Sequence, residues 1–242
     1  MDKDKLFAQA LPQVVDFKFD ESVSRVFPDM IRRSVPGYEA IIELTGSIAE
    51  KYAQPATNIY DLGCALGASM LSMSSTINQE SIQYIGIDNS AAMLEECQKI
   101  LQPVIPRHQF QLIEGQVEDA AIDNACIVVM NFTLQFINPA LRDQLVGRIY
   151  QGLIPDGVFI VSEKIDFSND QESTLQQQLH EQFKISNGYS ELEISQKRIA
   201  LEQVMILDDR EQHLDRLRRA GFKNAVQWFQ SFNFASFVGV KE

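Results

Sequence analysis

Ile59-Tyr60-Asp61-Leu62-Gly63-Cys64-Ala65-Leu66-Gly67 reads as an apolar strand running into a glycine-marked turn, with a helical pattern starting at Ala68. About 25 residues on, a second apolar strand, Tyr84-Ile85-Gly86-Ile87, ends in Asp88, close to the ~20-residue spacing at which a doubly wound sheet places its ribose-binding acid. Together these elements describe a pocket for an adenine nucleoside.

The glycine pattern narrows the ligand. A dinucleotide site wants G-x-G-x-x-G, because the middle glycine lets the backbone approach a pyrophosphate. Here the run is Gly63-Cys64-Ala65-Leu66-Gly67, which sets a methyl group where that approach is needed. No Gly-Lys-Ser/Thr follows the turn, so a P-loop is absent too. A ligand with ribose and adenine but no phosphate fits, and S-adenosylmethionine is the common one. Asp61, just before the turn, is placed to meet such a ligand's ammonium directly or through water.

Composition excludes several classes of function. The chain has 242 residues, 45% of them hydrophobic, enough for one α/β domain with a full core, or a domain plus a lid. No apolar run approaches the ~20 residues of a membrane span. Met1-Asp2-Lys3-Asp4-Lys5 leads into no signal-like stretch, so a cytoplasmic location is expected. Cys64, Cys97 and Cys126 lack pairing or metal spacing, and His108, His180 and His213 form no cluster, so no metal is expected. The net charge of −12 disfavours gripping a nucleic acid. Basic residues concentrate only at Arg32-Arg33, Lys197-Arg198 and Arg216–Arg219, and the last stretch reads as a solvated helix face.

Strands and helices alternate along the chain. Strands are expected at Asn58–Leu62, Ile82–Ile87, Gln109–Glu114, Ala125–Asn131 and Val158–Glu163, and helices at Tyr38–Tyr52, Ala68–Ile77, Ala91–Leu101 and Pro139–Leu153. Such spacing predicts a doubly wound, mostly parallel sheet covered on both faces. A helix over Asp208–Ala220, a Gly221 stop and strands Ala225–Phe229 and Phe234–Val240 close the chain, making seven strands with a C-terminal antiparallel hairpin. We expect a single domain over residues 1–242, with an N-terminal helical cap at 1–37 and a helical lid or dimer arm at 167–205. In that arm Leu175, Leu179 and Phe183 mark one face.

The flanked strands, the glycine turn, the acid after the second strand and the hairpin resemble the class I S-adenosylmethionine-dependent methyltransferases, a Rossmann-like fold. Leu153-Ile154-Pro155-Asp156-Gly157 looks like that superfamily's Pro-Gly turn. The match narrows at Phe27-Pro28-Asp29-Met30-Ile31, Ser34-Val35-Pro36-Gly37-Tyr38, Asn131-Phe132-Thr133-Leu134-Gln135-Phe136 and the run from Asn187 to Arg198. These resemble the carboxy-S-adenosyl-L-methionine synthases over nearly the whole chain. That resemblance implies an enzyme that uses prephenate to carboxylate the methyl group of S-adenosyl-L-methionine, releases phenylpyruvate and supplies a separate enzyme that modifies wobble uridine in tRNA. It also implies that Arg198 binds the new carboxylate and that Tyr38 contacts the ligand, which makes these two the candidate catalytic side chains.

Position assigns the remaining candidates. Gly63, Cys64 and Ala65 would pass under the methionine part, Asp88 would hold the ribose, Asn89 would lie beside the adenine, and Gln116 and Val117 would line its edge. Asn131 ends the fourth strand, where such a sheet places ligand groups. A new carboxylate beside sulfur calls for a bidentate cation, which arginine supplies. Arg32 or Arg33 is expected to hold prephenate. Cys64 reads as a small packing residue rather than a nucleophile, Tyr38 as a ligand contact or a helix cap, and Glu163 as a structural acid before a general base. The lid and cap suggest a homodimer. An ordinary small-molecule methyltransferase is the enzymatic alternative, and a cofactor-binding scaffold for another enzyme the non-enzymatic one.

Overall fold

The computed structural model describes residues 2–79, 81–202 and 204–242, so Met1, Glu80 and Gln203, which the expected domain boundaries include, lie outside it. Its elements are α1 (Glu21–Ser34), α2 (Tyr38–Tyr52), β1 (Asn58–Leu62), α3 (Ala68–Thr76), β2 (Gln83–Asp88), α4 (Ala91–Leu101), β3 (Phe110–Glu114), β4 (Ala125–Asn131) and α5 (Pro139–Gly152). Then come β5 (Leu153–Asp166), α6 (Asp170–Ser186), α7 (Glu191–Glu202), β6 (Asp208–Asp209), α8 (Arg210–Ala220), β7 (Val226–Ser231) and β8 (Phe234–Val240).

Seven strands follow the order β3-β2-β1-β4-β5-β8-β7, parallel from β3 to β5 and antiparallel at β8 and β7. Both faces are covered, so the central strands are apolar throughout rather than alternating. Tyr60, Leu62, Val128, Met130, Phe159 and Val161 pack on one face with Leu145 and Ile149 of α5 and Leu214 and Leu217 of α8. Ile59, Ile127, Val129, Val158 and Ile160 pack on the other with Ala49 of α2, Met70 and Met73 of α3 and Cys97 and Leu101 of α4. From β1 the chain winds outward to β2 and β3 and then returns beside β1 as β4. Loops leaving β1 and β4 therefore diverge and open a crevice at the carboxyl ends of the strands.

Three local details differ from expectation. β5 begins five residues early: Leu153 pairs with Ala125 and Val158 with Ile127, so Ile154–Gly157 bulge out of register, with Asp156 at φ +60°. Asp208 and Asp209 do not open α8; they pair with Ile165 and Asp166 of β5 as an added short strand. The Asp209 carboxylate then caps α8 by accepting the Gln212 N–H at 2.8 Å. Finally, Arg216 is not on a solvated face. It is buried, ion-paired with Asp208 at 2.8 Å (off-axis for a hydrogen bond) and hydrogen-bonded to Asp143 at 2.8 Å.

Among the described residues no helix is long and apolar enough to cross a membrane.

Candidate active site

A cavity of about 970 Å³ opens at the crevice between β1 and β4, and Tyr38, Gly63, Cys64, Ala65, Asp88, Asn89, Gln116, Val117, Asn131 and Arg198 all line it. Residues spread over 160 positions of chain are thus gathered on one hollow.

The turn after β1 forms its floor. The N–H groups of Gly63 and Cys64 both donate to the Ile87 carbonyl, at 2.8 and 3.1 Å, which binds the turn to the end of β2. Gly63 has φ +79°, and a Cβ there would lie 2.1 Å from Thr133 Oγ1 of the loop after β4. Only glycine lets the two diverging loops meet that closely. Ala65 also takes a positive φ, +44°, and its N–H donates to Asp88 Oδ2 at 2.9 Å. Asp88 Oδ1 accepts the Ser90 N–H at 2.9 Å. Asn89 Nδ2 donates to Gln116 Oε1 at 3.2 Å, so two of the residues expected around the adenine hold each other.

Cys64 is buried, and its thiol pKa is pushed upward by its hydrogen bond with Cys97 and by burial, the opposite of an activated nucleophile.

Part of the cavity lining is acidic. Burial and the charge of Asp88 raise the Asp61 pKa to about 7, and no cationic side chain pairs with Asp61 among the described residues. Burial raises the Asp88 pKa as well. Asn131 Nδ2 donates to Ser69 Oγ at 3.1 Å, while its buried Oδ1 has no partner. An unneutralised carboxyl and an unmatched acceptor lining one cavity suit a ligand that brings a cation and N–H donors. S-adenosyl-L-methionine, with a sulfonium and an ammonium, fits this donor set. Tyr38 starts α2 behind Gly37 (φ +80°), and its ring lies 6.2 Å from that of Phe132. Burial, and then the Asp61 charge, raise its phenol pKa well above the usual value.

Another part is basic, and most of it was hidden in the sequence. Lys164, His180, Lys184 and Lys197 line the cavity with Arg198. Lys197 Nζ donates to Ser34 Oγ at 3.0 Å and lies 3.7 Å from Asp4 Oδ2. Arg198 is ion-paired with Glu181. His180 Nε2 donates to the Ser34 carbonyl at 2.8 Å, and burial followed by the Lys184 charge drops its pKa to about 3, so the imidazole stays neutral. One pattern does point to this wall: Gln177, His180, Glu181 and Lys184 fall at i, i+3, i+4 and i+7 and all face the cavity.

That stripe is the face α6 turns to the cavity. Leu175 and Leu179, expected with Phe183 to mark one face of the lid or dimer arm, are 53% and 39% exposed, while His180 is buried. One expectation is corrected here. Arg33 does not line the cavity. Its Nε donates to the Asn187 carbonyl at 2.7 Å, its Nη1 to Asp29 at 3.0 Å, and its guanidinium stacks 3.8 Å over the Tyr189 ring. It ties α1 to the loop between α6 and α7, and Arg32 remains the cavity-lining arginine of that pair. Glu163 is fully buried and accepts the N–H groups of Thr133, Leu134 and Gln135 at 3.0, 2.7 and 3.2 Å. It shapes the loop after β4 and stands outside the cavity, as a structural acid.

The fold and the crevice define the class of S-adenosyl-L-methionine-dependent methyltransferase-like enzymes, and residues 59–157 match the methyltransferase domain family. The chain superposes on a Methanococcus maripaludis protein provisionally described as an S-adenosyl-L-methionine-dependent methyltransferase, with TM-score 0.61 at 17% identity over 96% of this chain and 97% of that one. Human N-acetylserotonin methyltransferase in complex with its S-adenosyl ligand gives TM-score 0.61 at 14% identity, over 91% of this chain and 55% of that one. Sequence is more specific. Over 239 residues the chain is 48% identical to the carboxy-S-adenosyl-L-methionine synthase of Salmonella paratyphi C (strain RKS4594), covering 99% of this chain and 97% of that protein. The chain belongs to the carboxy-S-adenosyl-L-methionine synthase family, and is a methyltransferase-like enzyme acting on S-adenosyl-L-methionine.

Proposed function

We propose that the chain converts S-adenosyl-L-methionine and prephenate to carboxy-S-adenosyl-L-methionine and phenylpyruvate, in the cytoplasm, for use by a separate enzyme that modifies wobble uridine in tRNA. One observation carries the reading: a single cavity is lined by two groups of charges, Asp88 acting on Asp61 in one and Lys164, Lys184 and Arg198 acting on each other in the second. The acidic group matches a sulfonium nucleoside, and the basic group a co-substrate that carries two carboxylates. Displacement of the sulfonium methyl by an uncharged acceptor calls for no such wall.

The proposed chemistry balances without an added reagent. Prephenate loses its ring carboxyl as carbon dioxide and its ring hydroxyl as hydroxide, which leaves phenylpyruvate. The hydroxide removes one proton from the sulfonium methyl to give water, and that carbon bonds the carbon dioxide. Arg198 stabilises the new carboxylate by charge-assisted hydrogen bonds, at the expense of its pair with Glu181. Asp61, Asp88 and Asn131 hold the nucleoside, with Tyr38 against it. Confinement then matters most, because carbon dioxide must be captured before it escapes.

Mass spectrometry after incubation with both substrates tests this: the expected product is heavier than S-adenosyl-L-methionine by one carbon dioxide and forms only with prephenate. S-adenosylhomocysteine as the sole nucleoside product would favour the ordinary methyltransferase reading instead.

The same proposal makes α1 and the segment before it a cap, α6 and α7 a lid, and the chain a homodimer. Leu175, Leu179 and Ile185 on α6 and Leu192 and Ile199 on α7 are exposed apolar side chains, a surface suited to a second copy. Light scattering should give twice the 27.4 kDa chain mass; a monomer at micromolar concentration would remove the dimer from the proposal.

A further inference from the structure

Among the described residues, two partly buried lysines of the cavity, Lys164 and Lys184, have no ion-pair partner. Lys164 leaves β5 near its carboxyl end, and Lys184 stands one helical turn beyond His180 on α6. Both line the cavity and are partly buried, and neither ammonium has a hydrogen-bond or ion-pair partner among the described residues. Their neighbours differ: Lys197 is held by Ser34 and Asp4, and Arg198 by Glu181. Burial, and then the charges of Lys164 and Lys197, pull the Lys184 pKa down to about 8, while burial and Arg198 pull Lys164 down. Glu181 offsets part of this repulsion but is already paired. An unpaired ammonium out of water is costly, and two side by side are costlier. Lys164 is also firmly placed, since its backbone pairs with Phe234 of β8 and its N–H donates to Gln135 Oε1 at 3.2 Å. A preformed cationic pair on two rigid elements is built to receive an anion.

We propose that Lys164 and Lys184 form a subsite for the carboxylate that the dicarboxylate co-substrate keeps, leaving Arg198 for the carboxylate that is transferred. This rests on the reaction proposed above. Division of labour follows from the donors: two compact ammonium groups can each take one oxygen of a carboxylate that stays put, whereas the planar guanidinium suits the carboxylate formed beside sulfur. With prephenate, the retained group is that of the pyruvyl side chain. The pair would thereby select a co-substrate with a second carboxylate over one without it.

Lys164→Met and Lys184→Met remove the charges while keeping the stems. Steady-state kinetics on the full chain should show the prephenate KM rising about 10- to 100-fold for each, the loss expected for one charge-assisted hydrogen bond. The affinity for S-adenosyl-L-methionine, read by calorimetry, should stay near the wild-type value. Inhibition by phenylpyruvate, which carries only the retained carboxylate, should weaken in parallel. Lys184→Arg should recover part of the KM loss, which sets a charge role apart from a packing role. Unchanged prephenate KM and unchanged phenylpyruvate inhibition, beside normal wild-type turnover, would overturn the subsite and leave the proposed reaction standing. A wild-type enzyme that makes no carboxylated product from prephenate would overturn both.

Discussion

Asp88 Oδ2 accepts the N–H of Ala65 at 2.9 Å, so the acid ending β2 is bonded to the turn that follows β1. The Asp88 Oδ1 accepts the N–H of Ser90, so both carboxylate oxygens are oriented by backbone donors. Asp88→Ala should weaken S-adenosyl-L-methionine binding about 10- to 100-fold by calorimetry, through lost ribose bonds and a looser turn. An unchanged Kd would remove the assigned role.

Arg198→Leu should leave S-adenosyl-L-methionine binding largely intact while carboxylated product collapses, because in the proposed reaction the guanidinium meets a charge that exists only after transfer. Its side chain is 46% exposed and its pair with Glu181 adds little to stability, so the variant should melt close to wild type. Full product formation by this variant would show that the new carboxylate is held elsewhere.

In the proposed site, Asp61 should make ligand binding depend on pH. Its pKa in the folded protein is about 7 against an ordinary 3.8, so the protonated form is favoured in the empty site. A cationic ligand prefers the ionised form. Affinity for S-adenosyl-L-methionine should therefore climb as pH rises towards about 7 and level off above it, with protons released on binding at neutral pH. Stability of the ligand-free protein runs the other way: Asp61 contributes most below pH 3.8, and that contribution is lost as pH rises through about 7. Asp61→Asn should flatten both profiles. Proton release that persists in this variant, measured by calorimetry in two buffers, would assign the titration to another group.

The buried triad Arg142–Asp208–Arg216 should dominate the stability of the segment that follows α7. Arg142 is 1% exposed, its Nη1 donates to Asp208 at 2.7 Å, and its remaining nitrogens donate to the carbonyls of Ile137, Gln135 and Ile206. Removing the Asp208 charge strands the buried guanidinium of Arg142, while Arg216 keeps its bond to Asp143, so Asp208→Asn should cost about 3–5 kcal/mol in urea unfolding. A loss below about 1 kcal/mol would show that water replaces the carboxylate.

Residue order alone was enough for most of the scaffold. β1, β4, β8, α2 and α4 start and stop where the apolar pattern predicts, since strand and helix periods are local properties that a buried sheet enforces on both faces. The floor of the site was legible for the same reason: Gly63, Asp88 and Asn131 sit at strand ends, and strand ends in such a sheet meet at one crevice. Tyr38 and Arg198 were found by resemblance rather than by period, and the structure brings both to the same cavity.

Tertiary structure decided the charges. Lys164, His180 and Lys184 look like ordinary polar residues until β5 and α6 bring them together, and Arg33 and Glu163 look available until α1 and the loop after β4 enclose them. The apolar row of α6 points outward because its polar row covers the cavity. Which face of a helix turns inward, and which ion keeps its counter-charge, depends on neighbours far away along the chain. Period and spacing carry no record of those neighbours, because electrostatic fields and burial are set through space.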